Sequence, residues 1–143
     1  MALDPDDMPF TVAALCDLAG VSRQVRAKWI EKHLLSGPRS GRCGDAALYE
    51  LTALAYLVSV LGFEEALVAW AQREPEWLAP PRKRRCDVVY DLEQKLAVTT
   101  GTDVEVAQAV RHGRLVRVVA LGDRQQAIEA AATRLRAGLA VAA

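Results

Sequence analysis

Between Phe10 and Leu35 the apolar residues follow helical spacing in two short runs separated by a turn. Val12, Leu15, Cys16 and Ala19 share one side of the first run, and Thr11 stands where its hydroxyl can accept a bond from a first-turn amide. Gly20 supplies the left-handed backbone that ends such a helix. Val21 can plug the angle between the helices, and Ser22 occupies the N-cap position of the second. That second helix opens with Arg23 and Gln24 and closes with Trp29 and Ile30, which can pack back onto the first. Leu48, Leu51, Leu54, Ala55, Leu57, Val58 and Leu61 predict a third helix, apolar around much of its circumference. One face can cover the helical pair; the rest needs the C-terminal half or a second subunit. Gly62 breaks it, and Glu64 to Trp70 resume a helix with acid near its positive end.

The pattern then changes. Glu74 to Pro81 contains three prolines, which remove donors and favour extended backbone, and reads as a semi-rigid linker. Asp87–Tyr90 and Lys95–Thr99 are short β-type runs at the spacing of a hairpin with a four- or five-residue connection. Thr102 and Glu105 form a capping box for a helix that buries Val106, Ala109 and Val110 and stops at Gly113. Leu115 to Leu121 is the strongest strand candidate. Asp123 is placed to cap a final helix through Ala137, which Gly138 ends. The predicted order is β-β-α-β-α. The fold class is therefore α+β: a mostly helical N-terminal unit, then a small mixed one. The expected boundaries are a tail at 1–9, a helical domain at 10–73, a Pro-rich then basic linker at 74–85, and an α+β domain at 86–143.

Two helices of this length around a Gly turn, the second polar at its start, make a helix-turn-helix the expected motif. The run FTVAALCDLAGVSRQVRAKWIEKHLL resembles the opening of MerR-type and excisionase-type winged-helix DNA-binding domains. The likeness rests on Phe10, Thr11, Val12, Leu15, Leu18, Ala19, Gly20, Val21, Ser22, Leu34 and Leu35. It continues in Leu48-Tyr49 and Leu61-Gly62-Phe63-Glu64-Glu65, reaching residue 72 or so. Trp29-Ile30 leans to the excisionase side. Arg26 departs from the apolar residue usual there. Either the helix rotates so that Val25 and Trp29 form the buried seam, or Arg26 snorkels from its edge. The resemblance implies that the loop 36–47 is a wing.

Charge adds to this picture through its distribution, since the net charge is zero. Residues 1–20 hold four acidic and no basic side chains, whereas 21–44 hold six Lys or Arg against Glu31 alone. Residues 45–80 reverse the balance, and Arg82-Lys83-Arg84-Arg85 follows. Basic residues concentrated on one helix and its loop are what phosphate neutralisation requires. Ser22, Arg23, Gln24, Ala27 and Lys28 are expected on the DNA-facing side, with Arg23 and Gln24 best placed for bases. Arg26, Lys32, Arg39 and Arg42 are expected to hold phosphates. The run Arg82, Lys83, Arg84 and Arg85 either tracks phosphates or keeps the linker soluble.

Enzyme readings find no support: there is no G-x-S-x-G, phosphate loop, H-E-x-x-H or dinucleotide turn. No cofactor or metal is expected, because His33 and His112 lack ligands at metal spacing and Cys16, Cys43 and Cys86 lie far apart. Scattered thiols suit a reducing cytoplasm. Asp4, Asp6 and Asp7 are incompatible with a secretory signal at the start. The expectation is a cytoplasmic, homodimeric regulator of transcription that binds double-stranded DNA. The alternatives are a DNA-binding antitoxin whose residues 86–143 mask a toxin, and a phage-type excision factor that bends DNA.

Overall fold

The computed structural model describes residues 9–37, 41–78 and 86–142. Helix and strand are mixed, with a two-stranded ribbon and a three-stranded sheet, as the α+β class requires. The tail up to Met8, Arg39 in the loop and the basic run 82–85 lie outside the described residues.

The helical spacing at the start yields β1 (Phe10–Thr11), α1 (Val12–Ala19) and α2 (Arg23–Glu31). Both expected caps form: Ala14 N donates to Thr11 Oγ1 and Val25 N donates to Ser22 Oγ, each at 3.1 Å. Gly20 adopts φ 74°, ψ 32°, and the chain turns there because a side chain would be strained in that region. β1 pairs antiparallel with β2 (Arg42–Cys43), Phe10 opposite Cys43, so the ribbon ties the start of α1 to the end of the loop after α2.

α3 (Asp45–Leu61) is the central helix, with Leu48, Leu51, Leu54 and Leu57 buried. It packs against α1, α4 (Phe63–Ala71) and the C-terminal elements. The second cover that its apolar circumference demands is thus found within the chain. Trp70 on α4 is buried and donates to Leu34 O at 2.8 Å. Ser36 donates from its backbone and its hydroxyl to the Glu50 carboxylate at 2.8 and 2.9 Å, which fixes the exit of α2.

The first part of the expected linker is instead a peg. Pro75–Leu78 forms a short 3-10 helix that drives Trp77 to 0% exposure. The Trp77 indole donates to Thr99 Oγ1 at 2.7 Å, and Gln125 donates to the Trp77 carbonyl. Proline in the first turn of a helix loses no bond, and burying the indole outweighs the extended preference.

The hairpin comprises β3 (Asp87–Asp91) and β4 (Leu96–Thr100), joined by four residues. Asp91 Oδ1 accepts from Glu93 N at 2.9 Å and Gln94 N at 3.1 Å, an Asx-type turn that sets the register. The strand predicted over 115–121 is shorter, β5 (Val116–Val119), and pairs antiparallel with β3, giving the order β4-β3-β5. Val88, Tyr90 and Val119 on one sheet face join the core beneath α3.

α5 (Asp103–His112) is capped as predicted: Glu105 N donates to Thr102 Oγ1 at 3.1 Å, and the Glu105 carboxylate takes Gly101 N at 2.8 Å. Its predicted burial is wrong. Val106 and Ala109 are half-buried and Val110 is 43% exposed, because the helix caps the outer sheet face without a further layer above it.

α6 (Leu121–Ala142) starts before Asp123 and runs through Gly138, correcting both predicted ends. Mid-helix glycine costs only about 1 kcal/mol, which a long packed helix absorbs. Gly122 is required by space: a Cβ there would lie 2.9 Å from Cys86 N. Further along, Tyr49 and Arg136 both donate to the Glu129 carboxylate, Arg136 also pairs with Asp45, and its guanidinium lies 5.3 Å from the Phe10 ring centroid.

Candidate nucleic-acid interface

α2 divides into two faces. Arg26 and Trp29 point inward, at 3% and 6% exposure, with Ile30 half-buried beside them. Arg23, Gln24 and Lys28 point outward and are exposed, with Ala27 half-buried between them. Among the described residues these three polar side chains make no hydrogen bond or ion pair. Ser22 is exposed, and its hydroxyl oxygen is engaged as the cap.

Arg26, expected at a phosphate, is turned into the fold. Its guanidinium approaches Cys43 Sγ at 3.8 Å, and a Cβ on Gly37 would stand 3.7 Å from it. The seam of α2 is therefore Arg26 with Trp29, while Val25 is left exposed; neither rotation about Val25 nor snorkelling describes it. The buried guanidinium lies between the turn at Gly37 and β2 at Cys43. Neighbour spacing cannot reveal this, because Gly37 and Cys43 reach Arg26 only through tertiary packing.

Lys32 is exposed just past α2, its ammonium 5.3 Å from the Phe63 ring centroid, so a cation–π contact aims it across the start of α4. Arg42 is exposed on β2, and its guanidinium donates to Pro9 O at 3.1 Å. Arg39, Arg82, Lys83, Arg84 and Arg85 lie outside the described residues. His33, with φ 62°, turns the chain out of α2.

Sequence reasoning missed Arg124. It comes from α6, a hundred residues from the α1–α2 turn, yet its guanidinium stands 3.9 Å from a Cβ built on Gly20 and 6.0 Å from the Tyr56 ring centroid. It borders an open groove of about 570 Å³, lined also by Val21, Ser22, Val25 and Trp29 and by no acidic residue. The beginning of α2, already positive from its backbone dipole, is thus flanked by Arg23 and Arg124. No local pattern around Arg124 marks it.

The thiols stay apart from this face. Burial pushes the Cys16 thiol up against the opposing pull of Arg26 and Arg23. Burial, with Glu76, Asp87 and Glu74, pushes Cys86 up to about 11. Both are protonated at neutral pH and weak nucleophiles. Among the described residues no helix is long and apolar enough to cross a membrane. No family model matches the chain, and no curated protein is significantly similar to it.

Proposed function

We propose that residues 10–73 act as a winged helix-turn-helix of MerR or excisionase type and bind double-stranded DNA, the chain serving as a homodimeric, cytoplasmic regulator of transcription. α2 enters the major groove, Arg23 and Gln24 read base edges, Lys28 and Lys32 hold phosphates, and the loop 36–44 with Arg42 forms the wing. Arg124 joins the phosphate contacts beside Ser22. Residues 86–143 supply the dimer contact, since one recognition helix reads too few base pairs for an operator.

One observation carries the reading: the capped α2 presents Arg23, Gln24 and Lys28 outward without a partner among the described residues, on a basic segment of a chain whose net charge is zero. Arg23 sits in the first turn, where no acidic residue offsets the dipole. A cation there opposes helix stability, so its placement answers to a ligand.

The test is fluorescence-anisotropy binding of duplex from the protein's own upstream region, over a salt series, against scrambled duplex. Sequence-preferring binding that falls steeply with salt is expected. Salt-sensitive binding without preference points to an architectural role, and absence of binding at low salt overturns the DNA reading.

A further inference from the structure

The turn between α1 and α2, the second half of α3 and the start of α6 surround the groove that Arg124 borders, about 570 Å³ in volume. That size lies within the roughly 300–1,000 Å³ of small-molecule sites. Its walls are apolar. Val21, Val25 and Trp29 come from the helical pair, and Ala55, Tyr56 and Val58 from α3. Val25, the one apolar side chain left exposed along α2, lines this space. Both serine hydroxyls at the groove are already engaged, Ser22 Oγ accepting from Val25 N and Ser59 Oγ donating to Tyr56 O at 2.8 Å.

Arg124 is the charged group of the lining. It is half-buried, and among the described residues its guanidinium has no hydrogen bond and no ion pair. Its place beside Gly20 and the Tyr56 ring holds it at the groove. A charge drawn partly out of water is ordinarily matched by an acid, and no acid lines this groove. The complement is therefore an anion with an apolar body. One guanidinium fork fits one carboxylate through two parallel donors. A polyphosphate would set further charge against valine and alanine, an unfavourable burial.

We infer that this groove binds a small organic acid, its carboxylate on Arg124 and its ring or aliphatic body against Val25, Val58 and Trp29. Binding occupies the guanidinium that the DNA-binding reading gives to a phosphate, so the acid weakens duplex affinity. That consequence rests on the DNA reading; the site itself does not.

The probe is 1-naphthoate, with naphthalene-1-methanol as its neutral counterpart, in equilibrium dialysis against the full chain without DNA. Naphthoate is expected to bind at least about tenfold more tightly than the alcohol. Arg124→Gln should remove that preference and leave the alcohol's affinity unchanged. Ser59→Trp, an indole set into the groove from an exposed position on α3, should keep both compounds out. In the unaltered chain, naphthoate should shift the methyl resonances of Val21, Val25 and Val58 and leave those of Val104 and Val110 on α5 in place, which no folding defect can mimic. Absence of naphthoate binding at about 1 mM overturns the inference. So does equal affinity for acid and alcohol, or methyl shifts on α5 instead. In a chain that binds duplex, saturating naphthoate should reduce the salt slope by about one, the loss of a single phosphate contact, and an unchanged slope overturns the coupling. Naphthoate binding in a chain that binds no duplex upholds the groove and overturns the DNA reading alone.

Discussion

α2 and α5 are nearly equal in length, each opens on a hydroxyl N-cap, and each lies at the edge of the fold. They differ in what they do with their faces. α2 buries an indole and a guanidinium and turns basic side chains outward, Arg23 among them against the helix's own dipole. α5 buries no residue fully, matches its dipole at both ends, and leaves Val104 and Val110 exposed. One helix is held by the core and spends its surface on charge. The other is locally well made and leaves apolar surface open. The difference separates a face suited to a polyanion from a helix that meets the sheet through Val106 and Ala109.

Truncating one large apolar residue of each helix is the hardest test of that contrast. Trp29→Ala should cost about 3–5 kcal/mol of unfolding free energy, whereas Val110→Ala should change the monomer by less than about 1 kcal/mol; urea titration of both variants measures the gap. Equal losses would show that α5 is as much part of the core as α2. Next in size, Arg23→Ala and Gln24→Ala should each lose about 1–3 kcal/mol of discrimination between native and scrambled duplex, read by anisotropy. Unchanged binding in both would overturn the assigned recognition face. Arg23→Glu should raise stability by about 0.3–1 kcal/mol, since acid suits that end of α2, while abolishing duplex binding. A variant that loses stability instead would show that Arg23 serves the fold.

The smallest effect concerns acid. The backbone amide of Arg114, then that of Gln94, donates to Asp91 and holds its carboxyl below the usual range. A depressed folded-state value contributes stability above the unfolded value of about 3.9 and loses it as pH falls through the folded one. The β3–β4 turn, and the α5–β5 junction at Arg114, should therefore loosen in acid; amide exchange against pH reads this, and Asp91→Asn should remove the dependence.

Local signals were legible in the chain. Thr11, Ser22 and Thr102 cap where their hydroxyls predict, Gly20 turns left-handed, and the hairpin connection has the expected length. Each is decided within four residues. What escaped depends on distant partners. Arg26 is buried because Cys43 and the loop at Gly37 close over it, Trp77 because Thr99 and Gln125 receive it, and Arg124 reaches Gly20 only after α6 folds back. Val110 was misassigned for the converse reason: an apolar residue at helical spacing reports a face that wants cover, not whether the chain provides it.

The contacts of Arg136 bear on timing. Phe10 is sealed into the core, and Arg136 lies over its ring while pairing with Asp45 at the start of α3. During synthesis at about 5–20 residues per second, the ribbon and α1 must wait for α6 to emerge before they are covered. A truncation ahead of Arg136 should leave the nascent helices exposed to chaperones and proteases, so the helical N-terminal unit is sealed only once nearly the whole described chain is made.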